Sequence, residues 1–294
     1  MRKILFIINR KAGTDREKRL EDTIRRHLPA PGFSVQITHL AYLGHGTHLA
    51  QEAVANGVDT VVAVGGDGSI NEIAQGLTGS NTALAIIPLG SGNGLARALK
   101  IPLNVEKALQ LIAQNKRGAI DAGYANGHLF LSNAGVGFDA LIAERFRNMQ
   151  KRGLQGYAKL VIKSFREYKD NVYTINIDGN KTLQKPAFLL SMANGNQLGY
   201  EFKLSPQADL FDGLLDVVVV PPVSFLGLLP LCIHSLLGTV HKTKYMQRYT
   251  GRNITVSSPK LAYLQVDGDA VPLGNNAQVE FKVVKAALQV IVNN

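Results

Sequence analysis

The stretch Gly65-Gly66-Asp67-Gly68-Ser69-Ile70-Asn71-Glu72 sets three glycines around one carboxylate and continues with S-x-x-E spacing. Glycines let a backbone approach a ligand with no Cβ in the way. Ser69 and Glu72 have the spacing of a capping box, so a helix is expected to start at Ser69 with its free N–H groups and positive dipole end facing the turn. An anion such as phosphate belongs there. Asp67 is the odd residue, because a bare carboxylate repels phosphate unless a divalent cation or a transferable proton lies between them. Phosphoryl transfer explains that pairing better than phosphate storage; the plainer alternative is a tight strand-to-helix connection. Neither G-x-x-x-x-G-K-[ST] nor G-x-G-x-x-G is present, since Asn71 stands where the last glycine of the second would be.

Two more segments of the same kind follow short apolar runs. Ala83–Ile87 leads into Pro88-Leu89-Gly90-Ser91-Gly92-Asn93-Gly94, and Ile4–Ile8 leads into Asn9-Arg10-Lys11-Ala12-Gly13, with Thr14 and Glu17 as another capping pair. Val61, Val62 and Val64 precede the first turn. Runs of this type suit parallel strands covered on both faces, and glycine turns at consecutive strand ends face one crevice in an open α/β sheet. Asn104 reads as the cap of a helix from Val105 to Gln114. Strands and helices therefore alternate up to about residue 123.

Beyond that point the pattern changes. Asn126-Gly127 and Asp178-Gly179-Asn180 read as hairpin turns, and β runs follow at 172–177, 187–193, 214–220, 253–257, 261–266, 278–284 and 287–292. The expected fold is α/β plus all-β, with residues 1–123 as the α/β domain and 124–294 as an antiparallel domain. The second part carries two carboxylate clusters. Asp209-Leu210-Phe211-Asp212-Gly213-Leu214-Leu215-Asp216 gathers hard oxygen donors that suit magnesium better than zinc, or is simply an acidic turn. Asp267-Gly268-Asp269 follows the expected strand Leu261–Val266 and by itself reads as a plain turn.

Taken in order and spacing, Asn9-Arg-Lys-Ala-Gly13, Gly65-Gly-Asp-Gly-Ser-Ile-Asn-Glu72, Pro88-Leu-Gly-Ser-Gly-Asn93, Asp209-x-x-Asp212-Gly-Leu214 and Asp267-Gly-Asp269 resemble the soluble lipid kinases of the diacylglycerol kinase and sphingosine kinase superfamily, over nearly the whole chain. The resemblance implies a Rossmann-like nucleotide domain joined to a β-sandwich lipid domain, with catalysis in the cleft. It implies ATP and Mg2+ as cofactors and transfer of a phosphoryl group to a lipid hydroxyl. Asn9, Gly13, Thr38, Gly66, Asp67, Gly68, Ser69, Asn71, Glu72 and Ser91 would hold the nucleotide. Asp67 would act on the phosphates through magnesium, and Asp269 would be the general base. Asp209, Asp212 and the carbonyl of Leu214 would hold a structural magnesium, linked through water to Asp121. Asp139, in Gly135-Val-Gly137-Phe-Asp139, is a weaker candidate for the lipid headgroup, and a helix-start cap is the alternative. Two departures stand out: Asp269 replaces the family's glutamate, and Gly94 stands where many bacterial diacylglycerol kinases have aspartate, closer to the sphingosine and ceramide kinase pattern.

Composition agrees with that class. With 46% apolar and 18% charged residues among 294, the chain is neither disordered nor membranous. The apolar run after Met1-Arg2-Lys3 is too short for a signal peptide and reads as the first strand. Cys232 alone forms no internal disulfide and is expected to be a buried thiol in a cytoplasmic protein. The net charge is +10, and the segment from Glu144 to Lys169 holds eight cations against two anions. Leu154, Tyr157, Leu160, Val161 and Phe165 recur among those cations at helical spacing, as in a basic amphipathic helix on anionic lipid, although a solvated helix face is the plain alternative. No nucleic-acid motif accompanies the charge. A homodimer is left open. Phe225–Val240 is too short and too broken by Gly227, Pro230 and Gly238 to span a bilayer and reads as a packed helix. Two other functions share some of these features: an NAD kinase, which has the G-G-D-G loop but not Pro88–Asn93 or the Asp209 cluster, and a catalytically inactive nucleotide sensor on membranes.

Overall fold

Aliphatic runs with no polar alternation must be covered on both faces, and Ile4–Ile8, Val61–Val64 and Ala83–Ile87 are buried without interruption. A computed structural model describes residues 1–9, 14–147, 154–197, 202–275 and 277–293. The chain divides into two compact units, Met1–Asp121 with Ala286–Asn294, and Ala122–Lys285.

The first unit runs β1 (Arg2–Ile8), α1 (Thr14–His27), β2 (Phe33–His39), α2 (His45–Ala55), β3 (Thr60–Gly65), α3 (Asp67–Leu77), β4 (Ala83–Pro88), α4 (Gly94–Ala98), α5 (Val105–Gln114) and most of β5 (Arg117–Ala125). Its strands pair in parallel in the order β2-β1-β3-β4. Val290 of the returning C-terminus adds a parallel pairing with Leu84 on β4. Helix α1 packs with α5, and α2 with α3. The expected cap of α5 is present: the Asn104 side chain accepts the Lys107 N–H at 3.0 Å. Helix α1 begins at Thr14, but the side chains of the Thr14 and Glu17 pair lie outside the described residues.

The second unit continues with β6 (His128–Phe130), β7 (Asn133–Gly137), α6 (Phe138–Arg147), α7 (Leu154–Glu167), β8 (Asn171–Ile177), β9 (Lys181–Ala187), β10 (Leu189–Ala193), β11 (Leu215–Val220), α8 (Phe225–Leu236), β12 (Gln247–Gly251), β13 (Asn253–Ser257), β14 (Tyr263–Val266), β15 (Asp269–Pro272) and β16 (Gln278–Ile291). One antiparallel sheet has the order β12-β11-β10-β7-β14-β15, while the start of β16 pairs with β13, then β8 and β9. Side chains alternate across a strand. Val217 and Val219 thus join Tyr173, Ile175, Ile254 and Phe281 in the core between the sheets, while Val218 and Val220 face α6 and α8 through Phe138, Ile142 and Leu231.

The Asn126-Gly127 turn joins β5 to β6 and Asp178-Gly179-Asn180 joins β8 to β9, as expected, with positive φ at Asn126, Gly127, Asp178 and Gly179. Other expectations need correction. The run 187–193 is not one strand: the chain changes sheets at Phe188, whose N–H bonds the Val220 carbonyl at 2.9 Å, leaving β9 on β8 and β10 between β7 and β11. Conversely, 278–284 and 287–292 belong to one strand, β16, which bends at Ala286 (φ 51°). Cys232 is exposed on α8 rather than buried. The apolar residues Leu160, Val161 and Phe165 of α7 pack against the helix-side core, so that stripe is already partly covered.

Candidate active site

Parallel register brings the ends of β1, β3 and β4 level, with Ile8 opposite Val64 and Gly65 opposite Pro88. The following loops continue the ladder: Asn9 N–H bonds Val64 O at 3.1 Å and Leu89 N–H bonds Gly65 O at 2.8 Å. The glycine turn and the Pro88 loop then touch backbone to backbone. A Cβ on Gly90 would stand 2.5 Å from the Gly66 Cα and one on Gly66 would stand 3.2 Å from the Gly90 Cα. Glycine alone fits at position 90 without a backbone shift, and a side chain at 66 would press the second loop outward by a few tenths of an ångström. Asn93, buried at φ 53°, fixes the second loop: its Oδ1 accepts the Gly90 N–H at 3.0 Å and its Nδ2 donates to Gly90 O at 2.9 Å. Arg97 adds a bond from Nε to Gly92 O at 3.2 Å. The motif contains Asn93, yet its spacing alone assigns that residue no such task. Gly90→Ala is accordingly expected to destabilise the first unit by about 1–3 kcal/mol through overpacking and to weaken nucleotide binding. Thermal melts and nucleotide titration check this, and wild-type values in both would mean the loops separate at little cost.

The capping box is not formed. Helix α3 starts at Asp67, two residues before Ser69, with Gly66 as an extended cap that supplies no side chain. Ser69 instead accepts the Asn9 amide at 2.8 Å, tying the end of β1 to α3. The Glu72 carboxylate accepts the Gly46 N–H at 2.7 Å, and Glu72 O accepts the Thr47 hydroxyl at 2.8 Å, so Glu72 holds the start of α2 against α3. The first N–H groups of α3 have no partner within the helix. Beside them, Asp67 Oδ1 is shut from solvent without a hydrogen-bond partner among the described residues. An orphaned anionic oxygen at a turn lined with N–H groups fits a cation-linked phosphate. Asn71 is half-buried on α3, Gly68 and Ser91 are exposed, and Thr38 lies half-buried on β2 opposite Ile7. Gly13 lies outside the described residues. Next to Thr38, His39 has a buried Nε2 with no partner among the described residues, a group that sequence reading missed for want of a motif.

Asp121 is fully buried, and its Oδ1 accepts the Ala286 N–H at 2.7 Å. In the second unit, Asp209 and Asp212 are exposed, and each also braces its own turn: Asp209 accepts Phe211 N–H at 3.1 Å and Asp212 accepts Leu214 N–H at 2.9 Å. Asp216, the third acidic residue of that run, is buried and tied instead to Arg248 by two bonds of 2.6 and 2.7 Å, with Ser205 donating to the same carboxylate. Among the described residues no group of three or more His, Cys, Asp or Glu is placed to hold a metal. Two carboxylates and a carbonyl remain, which suits magnesium because that ion keeps several waters.

Asp267 and Asp269 separate by role. Asp267 accepts the N–H groups of Leu131, Ser132 and Asn133 at 2.8, 2.9 and 3.0 Å and thereby fixes the entry to β7. Asp267-Gly268 forms a two-residue turn with positive φ, and Asp269 opens β15 opposite Val266 with its side chain exposed.

Asp139 lies at the start of α6, where its Oδ1 meets the Ala140 N–H at 2.8 Å, near Gly135, Tyr168 and Tyr173. Burial pushes this carboxyl up to about 7, against the opposing pull of the backbone N–H groups. Burial likewise pushes the Tyr168 and Tyr173 hydroxyls up. The raised acid binds its proton in the folded protein through a range where the unfolded chain has lost it. Its contribution to stability therefore falls as pH rises from about 4 to about 7 and is level above. Asp139→Asn removes that dependence, so the melting temperature of the variant relative to wild type is expected to rise by roughly 4–8 °C between pH 5 and pH 8. Equal differences at both pH values would place an ionised carboxylate here at pH 5.

Two known families match successive parts of the chain. Residues 3–125 match the Diacylglycerol kinase catalytic domain, and residues 132–292 match the YegS C-terminal NAD kinase beta sandwich-like domain. The chain belongs to this diacylglycerol kinase and YegS family of lipid kinases. A Pseudomonas aeruginosa (strain UCBPP-PA14) protein named "Probable lipid kinase YegS-like" is 34% identical over 77% of this chain and 75% of its own. The diacylglycerol kinase of Bacillus subtilis (strain 168) is 25% identical over 92% of this chain and 90% of its own. A diacylglycerol kinase structure from Bacillus anthracis superposes with a TM-score of 0.72 at 21% identity, covering 99% of this chain and 97% of the other, and so shares the fold. The family assigns ATP use. No helix among the described residues is long and apolar enough to cross a membrane.

Proposed function

We propose that this chain transfers the γ-phosphate of ATP to the hydroxyl of a diacylglycerol-like or sphingoid-like lipid. The observation that carries the reading is the contact of two glycine loops at adjacent strand ends, next to the orphaned Asp67 oxygen and the free N–H groups of α3. Such transfer depends mainly on positioning and charge neutralisation. The part up to about residue 123 binds nucleotide, through Asn9, Gly13, Thr38, Gly66, Gly68, Asn71 and Ser91, with Ser69 and Glu72 holding the loop and helix in place. Asp67 takes part through magnesium, which when bound neutralises phosphate charge. The part from 124 to 294 binds lipid. There Asp209, Asp212 and the Leu214 carbonyl hold a structural magnesium, Asp269 accepts the hydroxyl proton, and Asp139 contacts the lipid headgroup. The protein works in the cytoplasm, peripheral to an anionic membrane surface, with the cations between Glu144 and Lys169 as support for that contact. A homodimer is compatible with this reading.

The test offers ATP and a total lipid extract, with NAD in a parallel reaction, and identifies the phosphorylated product by mass spectrometry. One phosphorylated lipid, lost on chelation of magnesium, is the expected result. Labelled NAD phosphate, or nucleotide binding without any lipid product, would overturn the reading.

A further inference from the structure

Helix α8 is anchored on one side and bare on the other. Leu228 and Leu231 pack into the core beneath the second sheet, and the Ser224 side chain caps the first turn at the Gly227 N–H. The opposite side exposes Leu226 (84%), Leu229 (69%), Ile233 (45%), Leu236 (54%) and Leu237 (68%). At 100° per residue these five fall within an arc of about 100°. Contiguous exposed apolar surface of this kind marks an interaction site.

The surrounding charge selects the partner. No Asp or Glu occurs from Pro221 to Thr250, whereas Lys242 and Lys244 follow the helix with exposed side chains. At its other end the Phe225 ring lies 6.0 Å from Phe165 of α7, the helix that exposes Ile162, Lys163, Arg166 and Glu167, the last of these paired with Arg145 at 2.8 Å. The leucine face is thus flanked by cations. A second copy docked on a two-fold axis would bring these like charges together, whereas anionic headgroups would pair with them while the acyl boundary receives the leucines. A helix of 12 residues is about 18 Å long, too short to span a bilayer, and so lies in its plane.

We propose that the exposed face of α8 is the element by which this protein lies on an anionic bilayer, with Leu226, Leu229 and Leu236 entering the interface and Lys242 and Lys244 on its rim. This goes beyond the basic segment read from sequence, because the apolar stripe of α7 is partly taken by the core and that of α8 is free. The assignment deepens the membrane contact of the lipid kinase reading and rests on it.

The chain contains no Trp, so Leu229→Trp gives a single indole on the face. In vesicles of phosphatidylcholine with phosphatidylglycerol its emission is expected to shift to the blue and to be quenched by brominated acyl chains, with little change in phosphatidylcholine alone. Leu226→Gln/Leu229→Gln is expected to lower binding to the anionic vesicles at least about tenfold, and Lys242→Gln or Lys244→Gln about fivefold each. Turnover of a short-chain lipid in detergent micelles is expected to stay unchanged in all of them. Vesicle binding without an indole shift, undiminished binding of the double glutamine variant, or no vesicle binding by wild type would overturn the assignment. So would an indole shift that tracks protein concentration and dimer formation without lipid, since a second copy would then cover the face. If every lipid fails as a substrate while the indole still enters anionic vesicles, the kinase reading falls and this assignment stands.

Discussion

Asp67→Asn is expected to lower lipid phosphorylation by at least about 100-fold, the range seen when a preorganised electrostatic contact is removed. The fold should survive. Asp67 is the first residue of α3, where a carboxylate gains about 0.3–1 kcal/mol from the helix dipole, and its buried Oδ1 has no hydrogen-bond partner among the described residues to lose. Asparagine keeps the shape and removes the charge. Circular dichroism and melting temperature should therefore match wild type closely while turnover falls at saturating nucleotide. Near-normal turnover in the folded variant would remove Asp67 from the reaction.

Asp269→Asn is expected to cut turnover by a similar order while leaving ATP affinity nearly unchanged, because Asp269 and the glycine loops belong to different units. Its exposure at the start of β15 means that the substitution removes no packing. Asp269→Glu is the sharper variant. If the site is adjusted to the shorter side chain, the extra methylene misplaces the carboxylate, and a shift of about 1 Å can cost on the order of 10²-fold. If the site suits glutamate, activity will hold or rise. Unaltered turnover in the Asn variant would leave Asp67 or Asp121 to take the proton.

Features set by near neighbours in the chain were legible in the sequence. The buried strands before each glycine loop, the Asn104 cap and the two hairpin turns each depend on residues a few positions apart, where side-chain size, φ preference and local hydrogen bonds decide the outcome. The order of the loop motifs likewise identified a lipid kinase. Features set by distant partners were not legible. Ser69 and Glu72 have capping-box spacing, yet Asn9 and Gly46 offer them bonds that the folded sheet brings within reach. Asp216 looks like another metal ligand until β12 places Arg248 against it. Strand β7, Asn133–Gly137, has little β character, but a Cβ on Gly135 would stand 2.6 Å from Leu190 O, so crowding from β10 requires the residue that local propensity disfavours. The sequence of α8 shows an apolar helix, whereas which of its faces meets the core depends on where β11 leaves the sheet. Local chemistry thus determined the loops, the resemblance of their motifs gave the class of reaction, and only tertiary packing, which pairs groups far apart in the chain, decided which carboxylates brace the fold, which remain exposed, and which apolar face stays bare.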